Sequence, residues 1–327
     1  MEATAANRAG GAFLIRDLRK SDLDDLLDLL PKCFAKEFEI KGFDAEYARA
    51  TFNRAFGPPG RLLLGSLRLL GKEPMKFLVA EADSEVVGTT FVERGEKSGY
   101  IWAVMVHPDY RKRGIATTLV ETAVEYVQKG RMERAVLHAV STNTPAIGVY
   151  SRLGFEPFER ITNFLGETDV ALAQGRADDI EVRPYRGSDL DDVYDLATAS
   201  EDPPHLRVFG LSKKDLKMPL WVRLSRFSTQ KRLVALRAGR IVGYTTSSYT
   251  TPREAGSIGY MHVKPEDRSR GVERALIKAS AAEFKAAGVG RAHTMVPSTR
   301  QELVEEFRDL GFRETMTLVG MCREGRR

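Results

Sequence analysis

Val104-Met105-Val106-His107-Pro108-Asp109-Tyr110-Arg111-Lys112-Arg113-Gly114-Ile115-Ala116 decides how this chain is read. An apolar strand stops at a proline, and a basic loop containing glycine then opens onto an apolar, helix-periodic stretch. Ile115, Leu119, Ala123 and Val127 recur at helical spacing, so the helix runs to about Gln128. A loop entering a helix N-terminus presents successive backbone N–H groups and the positive end of the helix dipole, which together make an anion cradle. Gly114 allows close backbone approach, Ala116 keeps the first turn clear, and Arg111, Lys112 and Arg113 add positive charge.

Working outward, the same segment recurs. Arg111-x-x-Gly114 is echoed by Arg268-x-x-Gly271, and Leu153-Gly154-Phe155 by Leu310-Gly311-Phe312, both 157 residues on. Upstream, residues 15–25 (IRDLRKSDLDD) match residues 182–192 (VRPYRGSDLDD), and Gly88 matches Gly243. Four echoes in one order predict a duplicated domain. The predicted organisation is a flexible N-terminus over 1–11, one domain over 12–175 and a second over 179–327, joined by a linker at 174–178. The first copy carries about twelve extra residues before its second strand, around Gly57-Pro58-Pro59-Gly60 and residues 61–71.

Each copy reads as a short strand (13–17; 180–184), then a helix capped by Ser21 or Ser188, then a hairpin. In the first copy that hairpin spans 76–82 and 85–94 and turns at Asp83-Ser84; in the second it turns at Ala238-Gly239. A strand over 99–106, the loop and its helix follow, then a strand over 135–140, a helix over 145–152 and a last strand over 155–168. The fold class is α+β, with a mixed, mostly antiparallel sheet flanked by helices.

The charge is modest and uneven. The chain of 327 residues carries +5 overall, but residues 1–178 sum to −1 and residues 179–327 to +6. No groove-reading or aromatic-basic motif accompanies the excess, so nucleic acid is not the expected partner. No apolar run reaches the ~18 residues of a membrane helix, and the start lacks the order of a secretory signal. Cys33 and Cys322 form neither a CxxC pair nor a metal spacing; a reduced, cytoplasmic chain without a metal is expected. The sequence carries no signal for oligomeric state.

Arg111-x-x-Gly114-x-Ala116 resembles the pyrophosphate loop of the GNAT superfamily of acyl-CoA-dependent N-acyltransferases. Asn143-x-x-Ala146-x-x-x-Tyr150-x-x-x-Gly154-Phe155 is similar to that family's second cofactor motif. The resemblance covers about residues 12–170, and the repeat extends it to a tandem GNAT protein. It implies acetyl-CoA as co-substrate and an amine acceptor: a protein N-terminus, a lysine or a small amine. It further implies that backbone groups of Val104, Met105 and Val106 pair with the pantetheine arm. The amides of Arg111, Lys112, Arg113, Gly114, Ile115 and Ala116 would hold the pyrophosphate. Asn143 and Ala146 would orient the arm, and Tyr150 would protonate the departing thiolate. A phenol near pKa 10 can donate to a thiolate whose thiol sits near 8.5.

The string around His138, with Tyr100 opening the preceding strand, resembles protein N-terminal acetyltransferases of the superfamily. It implies His138 as the base that takes the amine proton, with Tyr100 as its partner; Glu93 is a reserve. His107 belongs to the turn, and His205, His262 and His293 form no metal cluster. The acceptor is expected to meet residues 34–71, which carry no substrate signature. In the second copy Glu273, Arg300 and Phe307 stand where Ala116, Asn143 and Tyr150 stand in the first. A carboxylate in the cradle and a ring without a hydroxyl predict a scaffold retained without chemistry. The alternative for the whole chain is a non-catalytic acyl-CoA sensor or scaffold.

Overall fold

The computed structural model describes residues 3–6, 12–41, 75–95, 97–173, 179–200, 203–214, 216, 228–250 and 255–325. The predicted insertion at 57–71 and linker at 174–178 lie outside them. The chain divides into two compact units. Unit 1 holds Met1–Phe158 with Val319–Arg327, and unit 2 holds Glu159–Leu318. The predicted boundary at 175–179 is therefore corrected. Unit 2 takes in residues 159–173, because Phe164 and Ala171 pack in its core. Unit 1 takes in the chain's end, because Val319 and Met321 pack in its own.

In unit 1, strands β1 (Ala3–Ala6), β2 (Ala12–Asp17), β3 (Met75–Ala82), β4 (Glu85–Arg94), β5 (Ser98–Val106) and β6 (Arg134–Val140) are neighbours in chain order. All pair antiparallel except β5 with β6, which is parallel. Residues 319–324 of the last strand, β14 (Arg313–Glu324), complete the sheet beside β6. Within the N-terminal segment, Ala3 to Ala6 pair with β2. The hairpin turns at Asp83 and Ser84, both at positive φ (53° and 66°), the backbone a two-residue hairpin turn requires.

Helices cover the two faces of this sheet. On one lies α1 (Leu23–Lys41), whose Leu26 and Leu29 pack on Phe91 and Met105. On the other lies α2 (Ile115–Lys129), whose Ile115, Leu119, Ala123 and Val127 are all buried at the predicted spacing. Beside it lies α3 (Thr144–Arg152). Full burial of one such aliphatic chain stabilises by roughly 1.5–3 kcal/mol.

Ser21 and Ser188, predicted as helix caps, are not the caps. The next residue does that work in both copies. Asp22 accepts from the Arg19 amide at 2.6 Å and from both Arg16 Nη atoms at 2.6 and 2.9 Å. Asp189 accepts from the Arg186 amide at 2.7 Å and from Arg183 at 2.8 and 3.0 Å. A carboxylate suits the site better than a hydroxyl, because it takes a bidentate guanidinium and an amide together.

Unit 2 repeats the plan. Its strands are β8 (Glu181–Pro184), β9 (Ser228–Arg237), β10 (Arg240–Thr250), β11 (Gly256–Ile258), β12 (His262–Val263) and β13 (Arg291–Pro297). To these it adds most of β7 (Glu156–Glu167), antiparallel to β13, and the start of β14. Its helices are α4 (Thr168–Ala173), α5 (Leu190–Ser200), α6 (Pro203–Phe209), α7 (Val272–Ala286) and α8 (Gln301–Asp309).

Candidate active site

The site in unit 1 begins with a parting of strands. β5 and β6 pair only from Ser98↔Arg134 to Ile101↔Leu137. Past Ile101 their ladder stops, although β5 continues to Val106 and β6 to Val140. The cause is local to β5. Between Thr89 and Phe91 its register against β4 slips, and Ala103 sits at φ 52°. A bulge of this kind bends its strand and ends pairing on the far side. Val104 and Met105 thus lie on an edge without a β6 partner. Val106 differs from expectation, because its carbonyl accepts from Arg111 Nε at 3.2 Å and from Cys33 Sγ at 3.5 Å.

The loop that follows opens onto α2. The Arg111 amide is used internally, donating to Pro108 O at 3.2 Å. Among the described residues, the amides of Lys112 to Ala116 have no acceptor. Lys112 stands at φ 62° and Gly114 at φ 85°, an alternation that turns successive N–H groups to one side. A side chain at Gly114 would meet nothing within 4 Å, so glycine is required here by its φ and not by crowding. Arg113 lies over the Tyr110 ring at 4.7 Å and donates to Asp109 O, which holds its charge beside the cradle. An anion fits this loop on the chemistry of its donors alone.

The second motif lies on α3. Asn143 is its N-cap: Oδ1 accepts from the Ala146 amide at 3.2 Å, and the residue is exposed. The expected orienting contact from Asn143 is thus limited to its Nδ2 donor, and the Ala146 amide is already spent. Tyr150 is buried, edge-on to Phe155 with ring centroids 6.2 Å apart. It packs in one cluster with Val104, Val106, Ala139, Ala146 and Ile147, on the α2 face of the parted strands. Among the described residues its hydroxyl has no hydrogen-bond partner, and burial pushes its pKa up to about 12.

His138 alternates to the opposite face from Leu137 and Ala139, and Tyr100 meets it there. Tyr100 Oη and His138 Nδ1 are 3.1 Å apart. The two side chains that the sequence names together thus meet in the fold. Phe158 adds an edge-on ring 6.2 Å from His138, and the buried Trp102 Nε1 has no partner. Neither carried a motif; Phe158 follows the Gly-Phe signature on a strand, and Trp102 precedes the bulge at Ala103. Glu93 is exposed at the end of β4. His107 belongs to the turn, its Nδ1 accepting from the Asp109 amide at 3.3 Å. The side chains of residues 34–41 and all of 42–71, where the acceptor was expected, lie outside the described residues.

Unit 2 keeps the backbone and changes the groups. Ser269 at φ 57° and Gly271 at φ 82° repeat the loop of Lys112 and Gly114. Glu273 is buried at its floor, where burial raises the carboxyl pKa, and Arg300 Nη2 lies 3.6 Å from Glu273 Oε1. Arg300 is the N-cap of α8 and makes no capping bond. Phe307 is buried between Phe164 and Phe312. Among the described residues no three His, Cys, Asp or Glu gather as a metal site, and no helix is long and apolar enough to cross a membrane.

Comparison with known proteins agrees with this duplicated geometry. Residues 23–155 match the acetyltransferase (GNAT) family, and residues 222–320 match an acetyltransferase (GNAT) domain. An acetyltransferase of Pectobacterium atrosepticum is 33% identical over 95 residues, 29% of this chain and 67% of that one. An uncharacterized N-acetyltransferase of Methanocaldococcus jannaschii is 31% identical over 166 residues, 47% of this chain and 65% of the relative. A mycothiol acetyltransferase of Saccharomonospora viridis is 31% identical over 108 residues, covering 30% of this chain and 33% of its own. Among solved structures, a GCN5-related N-acetyltransferase from Sphaerobacter thermophilus superimposes with a TM-score of 0.66 at 19% identity, over 96% of both chains. A tandem GNAT protein from the clavulanic acid biosynthesis pathway gives 0.64 at 18%, over 96% of this chain and 99% of that one. With two matching domains on one duplicated fold, the chain belongs to the GNAT acetyltransferase family and carries its domain in tandem.

Proposed function

We propose that this protein transfers an acetyl group from acetyl-CoA to a primary amine, and that the chemistry belongs to unit 1. The observation that carries the reading is the conjunction in one unit of parted strands, five acceptor-free amides and a buried, protonated Tyr150. When bound, acetyl-CoA supplies an activated thioester and a pyrophosphate handle. The amides of Lys112 to Ala116 hold the pyrophosphate, with Arg111 and Arg113 beside them. The open edge at Val104 and Met105 offers strand-like hydrogen bonds to the pantetheine amides. Asn143 has Nδ2 left for the same arm.

The amine must be neutral to attack, and most amines are protonated near pH 7. His138 takes that proton, directly or through water. With Nδ1 against Tyr100 Oη, the base is Nε2, which requires Nδ1 to carry the hydrogen and donate it to the phenol oxygen. Tyr150 keeps its own proton at the opposite face and donates a hydrogen bond to the sulfur as the C–S bond breaks and the new C–N bond forms. The resemblance around His138 and Tyr100 to protein N-terminal acetyltransferases supports α-amines as first candidates. Small amines are the second class to be tried. The test is thiol release from acetyl-CoA with a panel of N-terminal peptides, lysine peptides and small amines. Turnover with one class supports the proposal; thiol release with none refutes it.

A further inference from the structure

Unit 2 keeps the backbone of an anion seat and puts an anion of its own into it. The loop over residues 268–273 repeats that over 111–116: Ser269 at φ 57° and Gly271 at φ 82° match Lys112 at 62° and Gly114 at 85°. The first helical bond repeats as well, Ala275 N to Gly271 O as Thr118 N to Gly114 O, both at 3.0 Å. Among the described residues the amides of Ser269 to Val272 have no backbone acceptor, and Ser269 and Arg270 are exposed. What differs is the second residue of the helix. Ala116 ends at Cβ, whereas Glu273 carries a carboxylate. Glu273 is 3% exposed, and its carboxylate accepts from its own backbone amide.

That carboxylate is tied to the residues that replace the other loop and arm positions of unit 1. Arg300, at the place of Asn143, puts Nη2 3.6 Å from Glu273 Oε1. Arg300 Nε bonds Glu302, whose Oε1 lies 3.8 Å from Arg268 Nε. Arg268, at the place of Arg111, donates to Ser200 O at 2.8 Å, where Arg111 donates to Val106 O. Two carboxylates and two guanidiniums thus form one chain of charges from the loop to the start of α8. Burial raises the Glu273 carboxyl pKa, and its own amide and Arg300 oppose that rise. The amides and helix dipole that would attract a phosphate favour this carboxylate in the same way. A second anion would meet like charge there in a poorly screened setting.

Resting on the reading of residues 111–116 as an anion seat, we propose that Glu273 is a built-in anion that keeps the second seat filled, so that one side chain holds a phosphate-binding loop shut. Calorimetric titration of the full chain with inorganic pyrophosphate tests this, comparing wild type with Glu273→Ala. Pyrophosphate is the probe because Arg300 and Phe307 still stand where the rest of a cofactor would lie. The variant should bind one more pyrophosphate per chain than wild type. Wild type reports separately on unit 1: a count of one agrees with its cradle and zero contradicts it, while the gain of one in the variant is expected in either case. Glu273→Gln keeps the bulk of the side chain and should gain no site. If Glu273→Ala does not melt cooperatively, Glu273→Ser takes its place with the same count expected. Equal counts in wild type and the folded small variant, two sites in wild type, a gain in Glu273→Gln equal to that in Glu273→Ala, or failure of both small variants to fold overturns the proposal.

Discussion

Burial pushes the Tyr150 pKa up to about 12, well above the ordinary value of a thiol near 8.5. Complete proton transfer to a thiolate is therefore uphill, and its help comes as a hydrogen bond to developing charge. Removing a general acid costs about 10²–10⁴-fold, and this mismatch places Tyr150→Phe near the lower end. Turnover should fall about a hundredfold while acetyl-CoA affinity is nearly kept; an unchanged rate would make Tyr150 a packing residue. For His138 the comparison is His138→Gln at saturating substrate across pH. The variant should be slower near neutrality and recover as the amine deprotonates unaided, so the gap closes as pH rises. An equal loss at every pH would mean that His138 only positions its neighbours. At the cradle, Ala116→Glu imitates Glu273 and should abolish acetyl-CoA binding in a titration while thermal melting stays cooperative; retained affinity would place the phosphates elsewhere. These residues were legible because loop chemistry and the Asn143-to-Tyr150 spacing are local. Trp102 and Phe158 were not, since a ring on a strand has no signature until the strands are placed.

At the scale of elements, periodicity located α2 and the turn residues located the hairpin, because both depend on neighbours in sequence. The caps were misread for the same reason. Ser21 and Asp22 are adjacent and both are cap-type residues, and only the fold brings Arg16 within reach of Asp22. Burial by itself would raise the Asp22 pKa, but the Arg16 guanidinium and the Arg19 amide together hold it below the usual carboxylate value. The side chains of the pair are 5% and 6% exposed. Losing one partner of a buried pair costs about 3–5 kcal/mol. Glu81, which Arg16 keeps at 2.5 Å, puts Asp22→Ala at the lower end. Urea unfolding at pH 7 should show that loss. A lowered native pKa means the stabilisation is present above the unfolded value of ~3.9 and fades as pH falls through the native one. The difference between wild type and variant should thus shrink below about pH 4.

For the whole molecule, the repeat announced two domains, but not which strands each would own. β7 and β14 read as the last strand of their own copies. Unit 2 takes residues 159–167 of β7, and unit 1 takes residues 319–324 of β14. Strand assignment of that kind depends on partners some 130 residues away, as in Arg291↔Glu167, and leaves no local trace. The repeat also exposes the asymmetry on which the functional account turns: the same loop backbone, with Ala116 and Tyr150 in one copy and Glu273 and Phe307 in the other. Counting acetyl-CoA bound per chain by calorimetry tests that asymmetry most directly. The account predicts a stoichiometry near one; two equivalent sites per chain would contradict it.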